Sequence, residues 1–223
     1  MATEHFQNLV IGSGEAGKFI TWHLAGLGQR TAVVERSAVG GACPNVACLP
    51  TKNVIYSARV ASLVGRAAEF GIATGPTRVE MTGVIRRKAR MVEGESQFHL
   101  NRFAAVGAEL VMGEARFVEA KTVHVALNAG GTRAIRGDRV FLAVGTRARM
   151  PDVPGLAGAG PMTHIEALNL ARLPEHLVVL GGGYVGLEFA RRCAASAVGS
   201  RSFSAAPNSS TARTPTWPMR CCN

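Results

Sequence analysis

"NLVIGSGEAGKFITWHLAGLGQRTAVVE", residues 8–35, is an apolar run, a glycine turn, an amphipathic stretch and a second apolar run. The periodicity predicts a strand at Asn8–Ile11, a helix from about Glu15 to Leu27 closed by Gly28, and a strand over Thr31–Glu35. Gly12, Gly14 and Gly17 form GxGxxG where the first strand meets the helix. There Gly12 permits the tight turn, Gly14 lets the backbone approach a pyrophosphate, and Gly17 lets the helix lie close on the strand. The positive end of the helix then faces the phosphate charge. Glu35 ends the second strand 18 residues after Gly17, where an acid can hold a ribose hydroxyl. Three glycines alone also suit an ordinary turn; the strand, helix and acid around them favour a dinucleotide.

The same unit recurs downstream. "VVLGGGYVGLEFA", residues 178–190, places Gly181, Gly183 and Gly186 between a short apolar strand and a helix, so two nucleotide sites are expected. Between the two units the pattern predicts a helix opening at the cysteine segment and a long helix from roughly Met81 to Val106. Strands are expected at 108–112, 122–127, 132–137 and 138–145, followed by a turn-rich connection at 150–161.

The cysteine segment is "GGACPNVACLPTK", residues 40–52. Five residues of ideal helix rise about 7.5 Å and turn about 140°. A disulfide needs Cα atoms about 4.4–6.8 Å apart, so Cys43 and Cys48 can bridge only across irregular backbone. Two prolines favour that irregularity: Pro50 cannot donate a helical bond to the Val46 carbonyl, and Pro44 biases Cys43 away from helix. One sulfur can then precede a helix whose positive end favours a thiolate on the other. Two buried structural cysteines or half a metal site are the alternatives. His5 and His23 offer no partner spacing for a metal, so no metal site is expected and a redox pair is favoured.

Composition narrows the setting. The chain has 223 residues, 47% hydrophobic, with 26 glycines, a balance that suits an α/β domain with a real core. No apolar run is long enough to cross a bilayer and the start lacks a basic secretory leader, so a reducing cytoplasm is expected, without membrane attachment. The formal charge is +10, and half of it comes from the last 33 residues, which hold five arginines and no acid. Such a tail attracts polyanions without sequence preference, and no nucleic-acid-binding motif accompanies it, so no specific nucleic-acid partner is expected. Rich in Ser, Thr, Ala and Pro and without apolar periodicity, residues 191–223 are expected to be disordered.

The cysteine segment resembles the redox signature GGTCxNxGCxPSK of the class I pyridine nucleotide–disulfide oxidoreductases. That group includes dihydrolipoamide dehydrogenase, glutathione reductase and mercuric reductase. The likeness runs from residue 7 to about 190 and takes in "GEARF" at 113–117 and "VFLAVGTRARMPDVPG" at 140–155. Ala42, Ala47, Thr51 and Val144 depart mildly from the pattern. Low-molecular-weight thioredoxin reductases, similar in fold, carry CxxC in the other nucleotide domain.

The resemblance implies a Rossmann-like, three-layer α/β fold on a parallel central sheet. An FAD-binding domain would cover 1–150 and the start of an NAD(P)H domain 151–190, leaving the second nucleotide domain incomplete. It implies FAD bound by Gly12, Ser13, Gly14, Ala16, Gly17, Glu35, Arg36, Gly41, Ala42, Cys43, Lys52, Ala115, Val144 and Gly145. Gly181, Gly183 and Gly186 would hold NADH or NADPH, with Tyr184 covering the flavin until nicotinamide displaces it. Cys48 would face the flavin and Cys43 exchange with substrate, while Lys52, paired with Glu188, would support negative charge on the reduced ring. The implied reaction carries electrons from NAD(P)H through FAD to the Cys43–Cys48 disulfide and on to a disulfide or a metal ion. A family dimer, its interface domain and its His–Glu acid–base pair have no counterpart here. A chain truncated or frameshifted after about residue 190, with impaired activity, is therefore expected. The vicinal Cys221 and Cys222 resemble the terminal pair of mercuric reductase, the subtype alternative. A non-catalytic FAD-binding or basic interaction fragment is the alternative of a different class.

Overall fold

The computed structural model describes residues 2–196 and 203–206, with side chains as far as Arg191. In chain order the elements are β1 (Thr3–Ile11), α1 (Glu15–Gly26), β2 (Thr31–Glu35), α2 (Ala42–Asn45), α3 (Cys48–Gly65), α4 (Met81–Ala105), β3 (Glu109–Glu119), β4 (Thr122–Leu127) and β5 (Thr132–Leu142). Then come α5 (His164–Ala167), β6 (Leu177–Leu180), α6 (Tyr184–Ser196) and β7 (Phe203–Ala206). Two compact units form. One comprises the chain up to Leu49 and Arg90–Arg149; the other comprises Pro50–Ala89 and the chain from Met150. Contacts therefore do not follow a linear boundary near residue 150: α3 and α4 each pass from one unit into the other.

In the first unit β3, β2, β1 and β5 lie side by side and parallel, in that order. β4 runs antiparallel to both β3 and β5 and closes the five strands into a barrel. The parallel sheet of the expected α/β fold is thus present, with an antiparallel arm added. Gly113 marks the step where β3 leaves β2 and joins β4. A Cβ there would come 2.5 Å from the Ala126 carbonyl oxygen, so only glycine admits the β4 backbone. The strands expected at 132–137 and 138–145 are one strand. Gly137 does not interrupt β5, because a single register against β1 runs from Thr3–Ala134 to Ile11–Leu142. That pairing also extends β1 back to Thr3, through residues whose mixed polarity concealed it.

Alternation along the strands divides the core. Leu9, Ala32, Val34 and Val111 point into a cluster with Phe6, Val123, Val125 and Ile135. Val10 and Val33, on the opposite faces, pack with Phe103 of α4 and with Ile20 and Trp22 of α1. Leu9, Val10 and Ile11 of β1 and Ala32, Val33 and Val34 of β2 are covered on both faces, which is why these stretches are apolar without alternation.

In the second unit Val54 of α3, Leu168 and Phe189 of α6 are buried together, with Val84 and Ala167 against them. β6 pairs parallel with β7, from Leu177–Phe203 to Leu180–Ala206. This corrects the expectation for the tail. α6 continues to Ser196 because nothing in "RRCAAS" breaks a helix, and Phe203–Ala206 is a strand because β6 offers it an edge. A four-residue strand made by non-local pairing has no period to read. The other tail positions lie outside the described residues, Cys221 and Cys222 among them.

Candidate functional site

The first glycine turn is held by backbone proximity. Gly12 has φ +98°, and a Cβ on it would sit 2.3 Å from the Ala143 carbonyl oxygen at the end of β5. A Cβ on Gly17 would sit 1.9 Å from the Gly12 oxygen, so α1 can lie on the turn only with glycine there. Gly14 differs. Its φ is −64° and the nearest atoms to a Cβ are 3.9 Å away, so its backbone borders open space. Gly14 is also the N-cap of α1 and supplies no side-chain cap to the first-turn amides.

Glu35 ties this turn to the cysteine segment. Ser13 is fully buried, and both its amide (3.0 Å) and its hydroxyl (2.7 Å) donate to Glu35 Oε2. The Ser37 amide donates to Oε1 at 2.9 Å, and the Gly40 amide donates to Ser13 Oγ at 3.0 Å. Glu35, expected as a ribose acceptor, braces the whole turn. Oε1 has one protein donor and keeps a second lone pair.

Gly40 and Gly41 both have positive φ, and a Cβ on Gly41 would come 2.4 Å from Gly14 Cα. The two glycine turns therefore touch back to back, which brings the cysteine segment to the N-terminus of α1. Cys43 lies within α2 rather than in extended backbone. Pro44 falls in the first turn of that short helix, where its missing N–H loses nothing, so the bias against helix at Cys43 does not prevail. The chain breaks at Val46 and Ala47, whose amides both return to the Ala42 oxygen, and Cys48 opens α3 with Pro50 in its first turn. Asn45 Nδ2 fastens the bend by donating to the carbonyls of Val39 (2.9 Å) and Gly41 (2.8 Å).

Cys43, half-buried, and Cys48, exposed, are free thiols close enough to influence each other's titration. Burial, the hydrogen bond with Cys48 and the charges of Cys48 and Glu15 push the Cys43 thiol up to about 11; Lys18 opposes the rise. Lys18 and His99 are both buried and were not legible as site residues. Lys18 follows a glycine motif that draws attention to its glycines, and His99 lies inside a long helical pattern.

The remaining expected contacts of the first unit lie at varied depths. Ala16, Arg36, Ala42, Val144 and Gly145 are exposed, Gly145 with φ +66°. Ala115 sits in β3 with its side chain against the barrel interior. Val144 at 68% and Leu142 at 66% exposure leave apolar side chains uncovered at the end of β5, next to the carbonyl that meets Gly12. An uncapped helix start, an open Gly14 and uncovered apolar side chains form a cradle that fits a pyrophosphate with a flat ring system.

In the second unit Lys52, one helical turn after Cys48 in α3, donates to Glu188 Oε1 of α6. The second glycine turn repeats the first: Gly181 has φ +103°, and Gly183 precedes α6. A Cβ on Gly186 would be 3.2 Å from the Gly181 oxygen, the counterpart of Gly17 on Gly12 in a looser form. Tyr184 is 80% exposed at the start of α6. Among the described residues no helix is long and apolar enough to cross a membrane, and no group of three or more His, Cys, Asp or Glu could hold a metal ion.

The family described as pyridine nucleotide-disulphide oxidoreductase matches residues 6–202. The chain is 35% identical over 185 residues to a mercuric reductase of Streptomyces lividans, covering 82% of this chain and 39% of that protein. It is 31% identical over 188 residues to a glutathione reductase of Nostoc sp., covering 84% and 39%. A dihydrolipoyl dehydrogenase of Chlorobaculum parvum is 31% identical over 191 residues, covering 85% and 40%. Among solved structures, the HOCl-induced flavoprotein disulfide reductase RclA from Escherichia coli superposes with a TM-score of 0.73 at 28% identity, over 90% of this chain and 41% of that one. The chain thus spans about two-fifths of the length of these relatives.

Proposed function

The chain belongs to the pyridine nucleotide-disulphide oxidoreductases, and on that premise we propose that it carries the FAD-binding and redox-cysteine part of a flavin-dependent oxidoreductase. Its electrons would come from NADH or NADPH and pass to a disulfide or a metal ion. The observation that carries this reading is the contact of Gly14 with Gly41, which sets two adjacent thiols beside an uncapped helix start.

When bound, FAD supplies the two-electron relay between the nicotinamide and the cysteine pair. The residues of the chain do the rest. Gly14 and the first-turn amides of α1 hold the pyrophosphate, and Glu35 offers a lone pair to the ribose while bracing the turn. Arg36, Val144 and Gly145, just beyond the ends of β2 and β5, and Ala42 at the start of α2 would border the cofactor, with Ala115 reaching it from the middle of β3. Cys48, the exposed thiol, would face the flavin and Cys43 would exchange with substrate. Two electrons and two protons open the Cys43–Cys48 bond to two thiols. Cys43, on losing its proton, attacks a substrate disulfide and expels one thiol; Cys48 then displaces the second and restores the Cys43–Cys48 bond. Lys52, paired with Glu188, would support negative charge on the reduced flavin, and the Gly181–Gly186 turn would receive the nicotinamide nucleotide with Tyr184 at its mouth. A reducing cytoplasm suits a pair that must cycle.

The test is thiol counting, before and after reductant, on oxidised protein carrying Cys193→Ser, Cys221→Ser and Cys222→Ser, alongside titration with FAD. A gain of two thiols and saturable flavin binding are expected. Flavin binding with an unchanged count would leave a non-catalytic FAD-binding protein. NADH and NADPH oxidation with a disulfide or Hg²⁺ as acceptor then assigns the substrate class.

A further inference from the structure

Beside the contact of the two glycine turns lies a charged cluster that this cycle does not use. Lys18 is only 5% exposed, and its Nζ donates to Glu15 Oε1 at 2.7 Å and to His99 Nε2 at 3.0 Å. An ammonium has donors and no acceptor, so Nε2 is the accepting nitrogen and the imidazole proton sits on Nδ1. From there it is donated to the Glu95 carbonyl at 2.6 Å. His99 is 3% exposed and stacks on Trp22 with ring centroids 5.8 Å apart and planes 16° from parallel. A lysine is seldom buried without a partner, and here the partners are one half-exposed carboxylate and one neutral ring. The cluster therefore buries an ammonium whose counter-charge, the Glu15 carboxylate, is half exposed.

That charge borders the cysteine segment. A Cβ on Gly40 would lie 3.0 Å from His99 Nδ1 and 3.0 Å from Pro44 Cγ, so the imidazole, Gly40 and Pro44 form one packed layer. Pro44 directly follows Cys43. The groups acting on the Cys43 sulfur come from two packed elements: Cys48 at the start of α3, and Glu15 and Lys18 on α1. Of these charges Lys18 alone is positive, and its effect is smaller than the opposing one of Glu15.

We propose that Lys18, clamped between Glu15 and His99, is the buried cation that stabilises the Cys43 thiolate when the cysteine pair is reduced. Glu15 opposes it, and His99 holds the ammonium in place. Lys18 is thus a positioning residue for charge. It touches neither substrate nor cofactor, and it acts on the step in which Cys43 loses its proton and becomes a nucleophile. The proposal rests on the redox reading for its purpose, while the electrostatics apply to any reduced Cys43.

The test uses the reduced full-length chain and measures iodoacetamide modification of Cys43 against pH, read at the Cys43 peptide by mass spectrometry. Below the thiol pKa the rate follows the thiolate fraction, so a shift of half a pH unit changes it about threefold. Lys18→Met is expected to slow Cys43 modification at pH 8 by about threefold or more, with Lys18→Arg restoring most of the rate. Glu15→Gln is expected to accelerate it by about threefold, and His99→Phe to move it in the same sense as Lys18→Met. A merely structural role would not send Glu15→Gln and Lys18→Met in opposite directions. Unchanged profiles, or shifts of the same sign in natively folded variants, overturn the proposal. Should Lys18→Met fail to fold, Glu15→Gln decides alone, because its carboxylate is half exposed; a rate equal to the parent's overturns the proposal. Thiol counting on the same samples reports separately whether Cys43 and Cys48 form a disulfide, so the two readings fail independently.

Discussion

Alanine at Gly17 and alanine at Gly14 should separate the glycines that build the turn from the one that leaves room for a ligand. At Gly17 the new Cβ would start 1.9 Å from the Gly12 oxygen and 3.1 Å from Ala143 Cβ. An unstrained contact needs well over 3 Å, and the oxygen belongs to backbone that is itself pinned against β5. α1 must lift from β1, at a cost of about 3 kcal/mol. For a chain of this size that is about 6–12 °C in melting temperature. At Gly14 the nearest atoms are 3.9 Å from the added carbon and φ is −64°, which any residue adopts. Replacing glycine by alanine at an N-cap costs about 0.5–1 kcal/mol, and the stiffer unfolded chain offsets about as much, so the net change should stay within about 0.5 kcal/mol. The methyl nevertheless occupies the space a pyrophosphate needs, and FAD affinity should fall at least about tenfold, or about 1.4 kcal/mol. Urea melts give the first quantity and quenching of flavin fluorescence on titration gives the second. Normal FAD binding by a stable Gly14→Ala protein would refute the placement of the cofactor. An unshifted melt for Gly17→Ala would refute the packing argument.

Three further outcomes are expected. In reduced protein without FAD, a Cys43 thiol pushed up to about 11 is ionised to about one part in a thousand at pH 8, so iodoacetamide should label exposed Cys48 first; faster labelling of Cys43 contradicts this. Lys52→Met should change stability by under about 1 kcal/mol, since Lys52 is 60% exposed although its partner Glu188 is only 32% exposed. It should also lower the two-electron potential of bound flavin by about 30 mV or more, and an unchanged potential would remove Lys52 from the site. The hydrogen bond and charge of Arg133 hold Glu4 below the ordinary carboxylate range, against a smaller opposing effect of burial. Its contribution is therefore present at neutral pH, above the unfolded-state value, and is lost as pH falls through the folded one. The stability gap between the parent and Arg133→Met should accordingly shrink below about pH 4. Urea melts at pH 7 and pH 3 with equal gaps would exclude it.

Much of the architecture was legible because its causes are local. A buried parallel strand must be apolar on both faces, so the runs ending at Ile11 and Glu35 declare themselves, and helix periodicity marks α1, α3 and α4 to within a few residues. A turn that must admit a helix onto a strand needs glycine wherever a Cβ would strike backbone, which makes Gly12 and Gly17 readable as a pair. Other features depend on which segments meet. The continuity of β5 through Gly137, the switch of β3 from β2 to β4 at Gly113 and the pairing of β7 with β6 are non-local hydrogen bonding, to which no local period corresponds. Glu35 could be read as an acid at a strand end, but its role as a brace requires Ser13 and Ser37 to be brought to its two oxygens. Lys18 and His99 are the sharpest case. They stand 81 residues apart in sequences that read as ordinary helix, and only the packing of α4 beside α1 excludes water from both and makes them partners. Periodicity shows which face of a helix is buried; which charges are buried with it, and against which sulfur, is decided by the tertiary contact.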